Sequence, residues 1–359
     1  MKAWVLKDIG DISLQEREEP QAGAGEVRIR VQACGICGSD IPRIYETGAH
    51  RMPLVPGHEF AGVVEAVGEG VPDSWIGKRV AVCPKIPCGR CRNCINGHPD
   101  GCTSYDYSGS RRDGGFAEAV VVPADRLLLL PDPVSFEEGA MIEPLAVAAN
   151  AVRTGCTGQK RAVASDAPIA VCGMGTIGLM TVMLLREAGY DNLYVIGNKE
   201  SQKSAAGELG IEPEHFCSSR NEDPVAWLGE RTGGVDCYFE CVGSNASIGY
   251  GLEAGGYGSR LILVGNPRSD MTFPRDVYWK ILRSQMQLVG IWNSSFRQEL
   301  PEDEDMPEDD WHYVLKRLEE RRIEPAGLIS HRLSIEDLNR GFALMRDKTE
   351  NYTKVMMVP

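Results

Sequence analysis

Short runs of alternating polar and apolar residues mark the first part of the chain. EVRIRVQA (residues 26–33) and GVVEAVGEG (residues 62–70) alternate in this way, and RVAVCP and EAVVVP are short β-branched runs that end at proline. Alternation with a period of two is typical of strands with one buried face. Glycine and proline interrupt these runs at short intervals, so the pattern predicts a small antiparallel or barrel-like β domain.

The pattern changes near Glu137. FEEGAMIEPLAVAANAVRTG is apolar and helix-forming, and from Pro168 onward strand-like runs alternate with helical stretches. The candidate buried strands are PIAVCG, NLYVIG, VDCYFECVG, RLILVG and QLVGIW. Strands that alternate with helices predict a parallel, doubly wound sheet. An amphipathic helix, DWHYVLKRLEERR, and a strand-like KVMMVP follow, so the chain is predicted to be an α/β protein with two domains.

A glycine motif opens the α/β half. IAVCGMGTIG places Gly173, Gly175 and Gly178 in a G-x-G-x-x-G pattern, directly after a predicted strand and at the start of a predicted helix. In this context the pattern favours a dinucleotide site, where the backbone approaches the pyrophosphate and helix N–H groups bind it. Thr176 and Ile177 complete the predicted cofactor-binding segment. A glycine-rich turn in an unrelated α/β protein is the alternative.

The next predicted strand ends without the acidic residue that commonly binds the adenosine ribose. NLYVIGNKES places Gly197 at that position, followed by Asn198 and Lys199. Loss of the carboxylate removes the ribose contact and also the repulsion that excludes a 2′-phosphate, and the lysine adds a cation. These three residues favour NADP(H) over NAD(H). The alternative is that Lys199 points to solvent and NAD binds less tightly.

Four cysteines crowd one short segment, PCGRCRNCINGHPDGC. Cys88, Cys91, Cys94 and Cys102 have the spacing C-x2-C-x2-C-x7-C. Four thiolates this close in sequence can surround one ion tetrahedrally, and an all-thiolate set is typical of structural zinc. Two disulfides or an iron–sulfur cluster could use the same residues. Cysteine pairs with this spacing in a reducing compartment favour zinc.

A second group of metal-binding residue types lies near the N-terminus. ACGICGSD supplies Cys37, and PGHEF supplies His58 and Glu59. A thiolate, an imidazole and a carboxylate suit a catalytic zinc that keeps an open position. Glu143 in MIEPLAV is a further acid, for which a capping or interdomain role is the alternative. Cys34 is predicted to be a buried free cysteine.

Composition and charge narrow the partners. The 359 residues are 43% hydrophobic and 25% charged, which is ordinary for a globular protein. The net charge of −13 argues against a nucleic-acid partner. MKAWVLKDIGDISLQ contains no signal-peptide core, and no run approaches the roughly 18 apolar residues of a membrane span. Twelve cysteines without a secretion signal imply a reducing compartment, so a cytoplasmic location without membrane contact is expected.

Together these motifs resemble the zinc-dependent medium-chain alcohol and polyol dehydrogenases over essentially the whole chain. The matching pieces, in order, are GICGSD, PGHEFAGVVEAVG, the cysteine quartet, RDGGFAEAVVV, IEPLAV and GMGTIG. The resemblance implies a GroES-like β-barrel catalytic domain, residues 1–146 completed by residues 291–359. It also implies a Rossmann dinucleotide-binding domain with a doubly wound parallel sheet, residues 147–290, and assembly as a homodimer or homotetramer.

The resemblance further implies the zinc ligands and the chemistry. Cys37, His58 and Glu143 would hold the catalytic zinc, with Glu59 as an alternative or exchanging ligand. Zinc would act as a Lewis acid on the substrate hydroxyl while hydride passes to the nicotinamide. The reaction class is therefore that of an NAD(P)-dependent zinc alcohol or polyol dehydrogenase.

The hydroxyl proton also needs a route to water. Ser39, two residues after Cys37, can accept and donate a proton at once. In many members of the family a relay histidine follows three residues after this hydroxyl, where this chain has Pro42. His50 and Tyr45 are candidate substitutes, and Glu59 could carry the proton if it is not a ligand.

Further pieces of sequence resemble the branch of the family that acts on polyol phosphates: CGSDIPRIYETGAH, YDYSGSRRDGGFAE, YWKILR and IWNSS. The expected reaction interconverts galactitol 1-phosphate and tagatose 6-phosphate, or close relatives. A phosphate dianion needs fixed cations, preferably arginine, and Arg43, Arg111 and Arg112 are the candidates, with Lys280 and Arg283 as further ones. For each of them, an ordinary surface or interdomain salt bridge is the alternative. The alternatives are an unphosphorylated polyol or secondary alcohol, such as sorbitol or threonine, and a non-catalytic dinucleotide-binding regulator.

Overall fold

The computed structural model describes residues 1–157, 162–267, 269–299 and 308–359. The chain divides into two compact units, one of Met1–Pro144 with Ser295–Pro359 and one of Leu145–Ser294. Each unit has a large sheet and its own buried hydrophobic cluster.

The first unit contains mostly antiparallel strands. They are β1 (Lys2–Asp8), β2 (Asp11–Glu16), β3 (Glu26–Ile36), β4 (Glu59–Val67), β5 (Arg79–Val82), β6 (Lys85–Ile86), β7 (Asp106–Tyr107), β8 (Ala119–Pro123), β9 (Leu127–Leu129), β16 (Ile329–Leu333) and β17 (Lys354–Met357). Its seven-stranded sheet has the order β16-β17-β3-β4-β5-β9, and β8 also pairs with β3. The C-terminal strands β16 and β17 therefore complete a sheet that the N-terminal strands begin.

Strand β3 shows why this sheet forms. Val27 and Ile29 are fully buried, whereas Arg28 and Arg30 alternate with them and form ion pairs with Glu65. Burying a side chain of this size contributes about 1.5–3 kcal/mol relative to leaving it exposed. The period of two that the sequence shows in residues 26–33 thus separates a core face from a charged face.

The second unit is a parallel sheet with the strand order β12-β11-β10-β13-β14-β15. Its strands are β10 (Ile169–Cys172), β11 (Leu193–Gly197), β12 (Phe216–Ser218), β13 (Val235–Glu240), β14 (Gly255–Leu263) and β15 (Gln287–Gly290). In order along the chain this is 3-2-1-4-5-6, the doubly wound arrangement of dinucleotide-binding folds. Five of the strands were predicted from the sequence, and β12 was not.

Helices connect the strands in both units. They are α1 (Asp40–Pro42), which continues into a π-helical turn (Arg43–Thr47), α2 (Arg92–Ile95), α3 (Phe136–Thr157), α4 (Thr176–Glu187), α5 (Glu200–Glu208), α6 (Pro224–Thr232), α7 (Asn245–Ala254), α8 (Arg275–Arg283), α9 (Asp310–Glu319) and α10 (Leu338–Asp347). Within the described parts of the chain, none of these helices combines the length and apolar character that crossing a membrane requires.

Candidate active site

Two neighbouring strand ends bring three predicted zinc ligands together. Cys37 directly follows β3, His58 directly precedes β4, and Glu59 is the first residue of β4. Gly35 of β3 pairs with Glu59, and a Cβ atom on Gly35 would collide with the Glu59 carboxylate. The ligand atoms of Cys37, His58 and Glu59 all lie within 4.8 Å of one another. This set of a sulfur, a nitrogen and an oxygen donor fits zinc.

A buried aspartate contacts both Cys37 and His58 of this cluster. Asp40 is fully buried, accepts a hydrogen bond from the Cys37 backbone N–H at 3.0 Å, and is paired with Arg43 at 2.5 Å. Its Oδ1 lies 3.4 Å from Nδ1 of His58. Burial lowers the pKa of His58, but the negative charges of Asp40 and Cys37 outweigh it, and the pKa is raised well above its usual range. The cluster therefore favours a positive charge, as a metal site should.

Glu59 has a second partner, a lysine from the last strand. Lys354 of β17 donates to Glu59 Oε2 at 2.6 Å, and both side chains are almost fully buried. Lys354 also donates to the Ile36 carbonyl at 3.3 Å. Burial lowers the pKa of Lys354, but the charges of Glu59 and Cys37 outweigh it and raise the pKa. Glu59 thus lies beside both of the other candidate zinc ligands, Cys37 and His58, and contacts a buried ammonium group.

Glu143 lies in the buried part of the same unit but outside the 4.8 Å cluster of Cys37, His58 and Glu59. Its Oε1 accepts a hydrogen bond from the Tyr107 hydroxyl at 3.1 Å. Burial and the nearby Glu59 charge raise the pKa of Glu143 to about 7. The Tyr107 ring also contacts His58 edge-on, with centroids 5.8 Å apart. Tyr107 therefore connects Glu143 to the cluster.

Ser39 lies where a proton carrier is expected. Its hydroxyl is 3.3 Å from the Cys37 sulfur and donates to it. Ser39 directly precedes α1, and Pro42 ends this short helix, so the position of the usual relay histidine is taken up by a helical turn. His50, a candidate substitute for the relay histidine, donates its backbone N–H to the Ser110 carbonyl at 3.2 Å.

The four predicted structural-zinc cysteines form a second cluster, with ligand sulfurs within 4.8 Å of one another. The Cys91 sulfur lies 3.5 Å from that of Cys94 and 3.8 Å from that of Cys102. A zinc–sulfur tetrahedron with bonds of about 2.3 Å has edges of about 3.8 Å, whereas a disulfide is about 2.05 Å long. All four thiols are unbridged, so the geometry fits one tetrahedral ion and not two disulfides. A cluster with several irons would hold the sulfurs further apart.

The predicted cofactor-binding glycines close the turn between β10 and α4. Gly173 has a φ of +100°, and a Cβ on Gly178 would collide with the Gly173 carbonyl. Gly175 is the extended residue before Thr176 and Ile177, which begin α4. N–H groups in the first turn of a helix have no carbonyl partner within the helix, and they attract phosphate groups. The turn therefore has the backbone shape that a pyrophosphate needs.

Gly197 ends β11, and Asn198 and Lys199 follow it before α5 begins. The Asn198 N–H donates to Oε1 of Gln202 at 2.8 Å. A Cβ on Gly197 would lie 2.7 Å from the Phe216 ring and 2.9 Å from Gln202 Oε1. The side chains of Phe216 and Gln202 thus occupy the space that the Cβ atom of an acidic residue at position 197 would need.

The three predicted phosphate ligands have different environments. Arg43 is paired with Asp40, and Arg112 with Glu26 at 2.6 Å. The Arg111 guanidinium instead stacks on the Tyr105 ring, 4.6 Å from its centroid. Two of the three arginines therefore already have a carboxylate partner, as the salt-bridge alternative expects.

Three residues around the site were not singled out from the sequence: Asp40, Tyr107 and Lys354. Asp40 gave a weak signal, since it follows Cys37 and Ser39 in CGSD, a piece quoted for the family resemblance. Lys354 is a lone cation at the start of an apolar strand, KVMM, and it is 3% exposed. A charge in such a strand is rarely buried unless it is paired. Tyr107 gave a similarly weak signal, since it lies in YDYSGSRRDGGFAE, another piece quoted for the resemblance.

Sequence profiles identify the family. The profile of the alcohol dehydrogenase GroES-like domain matches residues 23–132, and that of the zinc-binding dehydrogenases matches residues 176–308. The fold and the two cysteine-containing clusters agree with this class. The chain belongs to the zinc-binding dehydrogenases with a GroES-like domain, which confirms the predicted family and fold class.

Individual relatives carry more specific names. Galactitol 1-phosphate 5-dehydrogenase of Escherichia coli K12 is 31% identical over 100% of both chains. Sorbitol dehydrogenase of Arabidopsis thaliana is 31% identical over 92% of this chain and 87% of its own. L-threonine 3-dehydrogenase of Bacillus subtilis is 30% identical over 100% and 99%. Similarity at this level supports a dehydrogenase but does not select one substrate.

Solved structures agree with the fold. Galactitol-1-phosphate dehydrogenase of Escherichia coli superposes with a TM-score of 0.88 at 30% identity, covering 100% of both chains. A zinc-binding dehydrogenase of Sinorhizobium meliloti, bound to NADP, has a TM-score of 0.87 at 27% identity, covering 100% and 99%. An alcohol dehydrogenase of Escherichia coli CFT073, in complex with NADH, has a TM-score of 0.87 at 26% identity and the same coverage. The two cofactors thus both occur among similar structures.

Proposed function

We propose that this protein transfers hydride between a nicotinamide cofactor and a secondary hydroxyl of a polyol phosphate of the galactitol 1-phosphate type. The observation that carries the chemistry is the convergence of Cys37, His58 and Glu59 within 4.8 Å in a member of a zinc-binding dehydrogenase family. The substrate class is supported by the full-length similarity to a galactitol 1-phosphate 5-dehydrogenase.

Cys37 and His58 would hold the catalytic zinc, with a glutamate as the third protein ligand. We assign Glu143 to this position at rest and Glu59 as the exchanging ligand, because Glu59 already accepts a short hydrogen bond from Lys354. Among the described residues, the hydrogen-bond partner of Glu143 is the Tyr107 hydroxyl, at 3.1 Å. When bound, zinc supplies Lewis-acid chemistry and the nicotinamide accepts the hydride.

The remaining residues orient these ligands and move the proton. Asp40 faces Nδ1 of His58 and can accept its N–H, which leaves Nε2 for the metal. The Ser39 hydroxyl can take the proton of the substrate hydroxyl at Oγ and pass its own proton outward. His50 or Tyr45 then replaces the relay histidine that Pro42 displaces. The quartet Cys88, Cys91, Cys94 and Cys102 would hold a structural zinc with no open position.

The turn from Gly173 to Gly178 would bind the pyrophosphate, and Gly197, Asn198 and Lys199 would face the adenosine ribose. We favour NADP(H), because Gly197 stands at the strand end where an acidic residue commonly repels a 2′-phosphate, and Lys199 adds a cation nearby. We assign residues 1–146 and 291–359 to the catalytic domain and residues 147–290 to the dinucleotide-binding domain.

A kinetic panel tests the proposal. Galactitol 1-phosphate, free galactitol, sorbitol and L-threonine are each assayed with NAD and with NADP. The phosphorylated polyol should have the highest kcat/KM, and NADP should be preferred. Equal kcat/KM for galactitol and its phosphate would overturn the substrate class, and a preference for NAD would overturn the choice of cofactor.

We also propose that the protein is a cytoplasmic homodimer or homotetramer that acts on small molecules. Strand β15 is at the edge of the parallel sheet, and Leu288 in it is 43% exposed. An unpaired strand edge offers N–H and C=O groups to a second copy of the chain. A two-fold axis beside β15 would pair the two edges.

A further inference from the structure

Arg111 differs from the other arginines around it. Arg17 and Arg51 share Asp113 at 3.6 and 3.7 Å, and Arg112 is held by Glu26. Among the described residues Arg111 has no carboxylate partner, and its Nε is buried without a hydrogen-bond partner. A buried donor without a hydrogen-bond partner is unfavourable, so this guanidinium gains from an added anion.

A tyrosine fixes the direction of this guanidinium. The Tyr105 ring lies between two cations, with Arg111 Cζ 4.6 Å and Lys85 Nζ 4.9 Å from its centroid. Lys85 is itself buried and donates to the carbonyl of Asp100, within the loop that carries the cysteine quartet. A planar guanidinium stacked on a ring keeps its N–H edge available for a bidentate ligand. Tyr105 therefore holds Arg111 ready for a phosphate or carboxylate group.

Aromatic contacts join this arginine to the candidate zinc site. The Tyr105 ring contacts the Tyr107 ring with centroids 6.1 Å apart, and Tyr107 contacts His58 at 5.8 Å. Two rings thus separate Arg111 from a candidate zinc ligand within the first unit. A phosphate bound by Arg111 would lie on the far side of these rings from His58.

Two arginines act on a neighbouring histidine. Burial lowers the pKa of His50, and the positive charges of Arg111 and Arg43 lower it further, so both arginines contribute positive potential at this histidine. Arg43 is already neutralised by Asp40. Of these two arginines, Arg111 is the one that has no carboxylate partner in the described part of the chain.

Building on the proposed function, we propose that Arg111, oriented by Tyr105, binds the substrate phosphate and makes the enzyme prefer phosphorylated over free polyols. Arg111 is a substrate-binding residue in this proposal, and Tyr105 is a positioning residue. Arg43 and Arg112, which were predicted alongside it, instead have structural roles through Asp40 and Glu26.

The test compares kcat/KM for galactitol 1-phosphate and free galactitol in the wild type and in Arg111→Ala. Charged hydrogen bonds contribute about 1.5–3 kcal/mol, so we expect a roughly 10- to 150-fold loss with the phosphate ester and no change with galactitol. Arg111→Lys should recover part of the loss, because it keeps the charge but not the bidentate geometry. Inorganic phosphate should inhibit the wild type competitively and Arg111→Ala much less.

Arg346→Ala is the matched control. Arg346 stacks on the Tyr45 ring at the same 4.6 Å, but it also has a carboxylate partner, Asp347, at 2.7 Å. Its loss should leave the preference for the phosphate ester unchanged. Tyr105→Phe should retain that preference and Tyr105→Ala should weaken it through a higher KM.

The possible outcomes separate the two proposals. If the wild type does not prefer the phosphate ester, the proposed substrate class is overturned, and the role of Arg111 with it. If the wild type prefers the ester and Arg111→Ala keeps this preference, only the role of Arg111 is overturned. An equal loss with both substrates, or a lower melting temperature that accounts for the loss, would also contradict phosphate binding by Arg111.

Discussion

At the residue scale, two cysteines three positions apart have different environments. Cys37 is half-buried and lies in the cluster with His58 and Glu59. Cys34 is fully buried in the hydrophobic core of the first unit, and burial raises the pKa of its thiol well above its usual range. A buried thiol of this kind is inert, whereas a thiol beside other metal-binding groups can coordinate. The same residue type therefore has two roles within one short segment.

Cys37→Ser should abolish turnover and leave cofactor binding intact. A serine hydroxyl is a much poorer zinc ligand than a thiolate, and the glycine turn after β10 is in the other unit. We expect kcat to fall by at least roughly 100-fold, because Lewis-acid stabilisation is worth several kcal/mol. Steady-state kinetics and a fluorescence titration with NADPH measure the two effects.

Cys34→Ala is the control for this substitution, because it removes a neighbouring thiol that lies outside the described ligand cluster. It should lower stability and keep kcat. Turnover that survives in Cys37→Ser would contradict zinc catalysis at this site. A wild type that binds NADPH but turns over none of the panel would instead favour the non-catalytic regulator.

At the element scale, the last strand of the chain supports the site. β17 pairs with the end of β3 next to Cys37 and carries Lys354 to Glu59. The two charges are buried together, and removing one partner of such a pair leaves the other uncompensated, at a cost of about 3–5 kcal/mol. The C-terminal strand therefore contributes a side chain to the proposed metal site as well as a strand to the sheet.

Lys354→Met should lower the free energy of unfolding of the first unit by about 3–5 kcal/mol, since Glu59 is then buried without a partner. Adding Glu59→Gln should recover most of this loss, because both charges are then absent. Differential scanning calorimetry of the three zinc-loaded proteins measures the order of their melting temperatures.

Lys2→Met provides the comparison with an exposed pair. Lys2 lies 2.5 Å from Glu336, with side chains 41% and 52% exposed. Exposed ion pairs contribute little to stability, so the melting temperature should barely change. If Lys354→Met lowered the melting temperature as little as Lys2→Met, the buried Lys354–Glu59 pair would not stabilise the first unit.

The cysteine quartet in residues 88–102 can be tested separately from the catalytic cluster. Cys91→Ser should reduce the zinc content from about two ions per chain to about one and lower the melting temperature, because a closed all-thiolate shell stabilises the fold around it. The remaining ion should be the catalytic one, so turnover persists at low temperature.

Cys37→Ser should also lose one ion, but without the same loss of stability. Mass spectrometry of the metal content distinguishes these results, and an unchanged content in Cys91→Ser would exclude zinc from the quartet.

The sequence predicts the elements of this fold better than it predicts their contacts. Five strands of the parallel sheet are visible because each is a short apolar run, although β15 is largely exposed, whereas β12 (Phe216–Ser218) is too short to show any period. The zinc-ligand types are visible as motifs around Cys37 and His58. The pairing of Lys354 with Glu59 spans 295 positions in the chain, and no local pattern encodes such a contact. The pairing of Arg112 with Glu26, 86 positions apart, was missed for the same reason.

At the scale of the whole molecule, one edge of the parallel sheet has no further strand within the described residues. β15 follows β14 as the last strand, and Leu288 in it is 43% exposed. Large apolar side chains are also exposed on α8 and just after β15: Tyr278, Trp279, Leu282 and Trp292. An exposed strand edge with apolar neighbours is a site for pairing with another chain.

Leu288→Arg should therefore dissociate the proposed oligomer. In a two-fold arrangement each β15 faces its own copy, so one substitution places two like charges at the same interface. Light scattering should give a multiple of 39.3 kDa for the wild type and a single chain mass for the variant. Ile76→Arg is the control, since Ile76 is 50% exposed but belongs to the first unit. It should leave the mass unchanged, and a wild type that is monomeric at micromolar concentration would contradict pairing at β15.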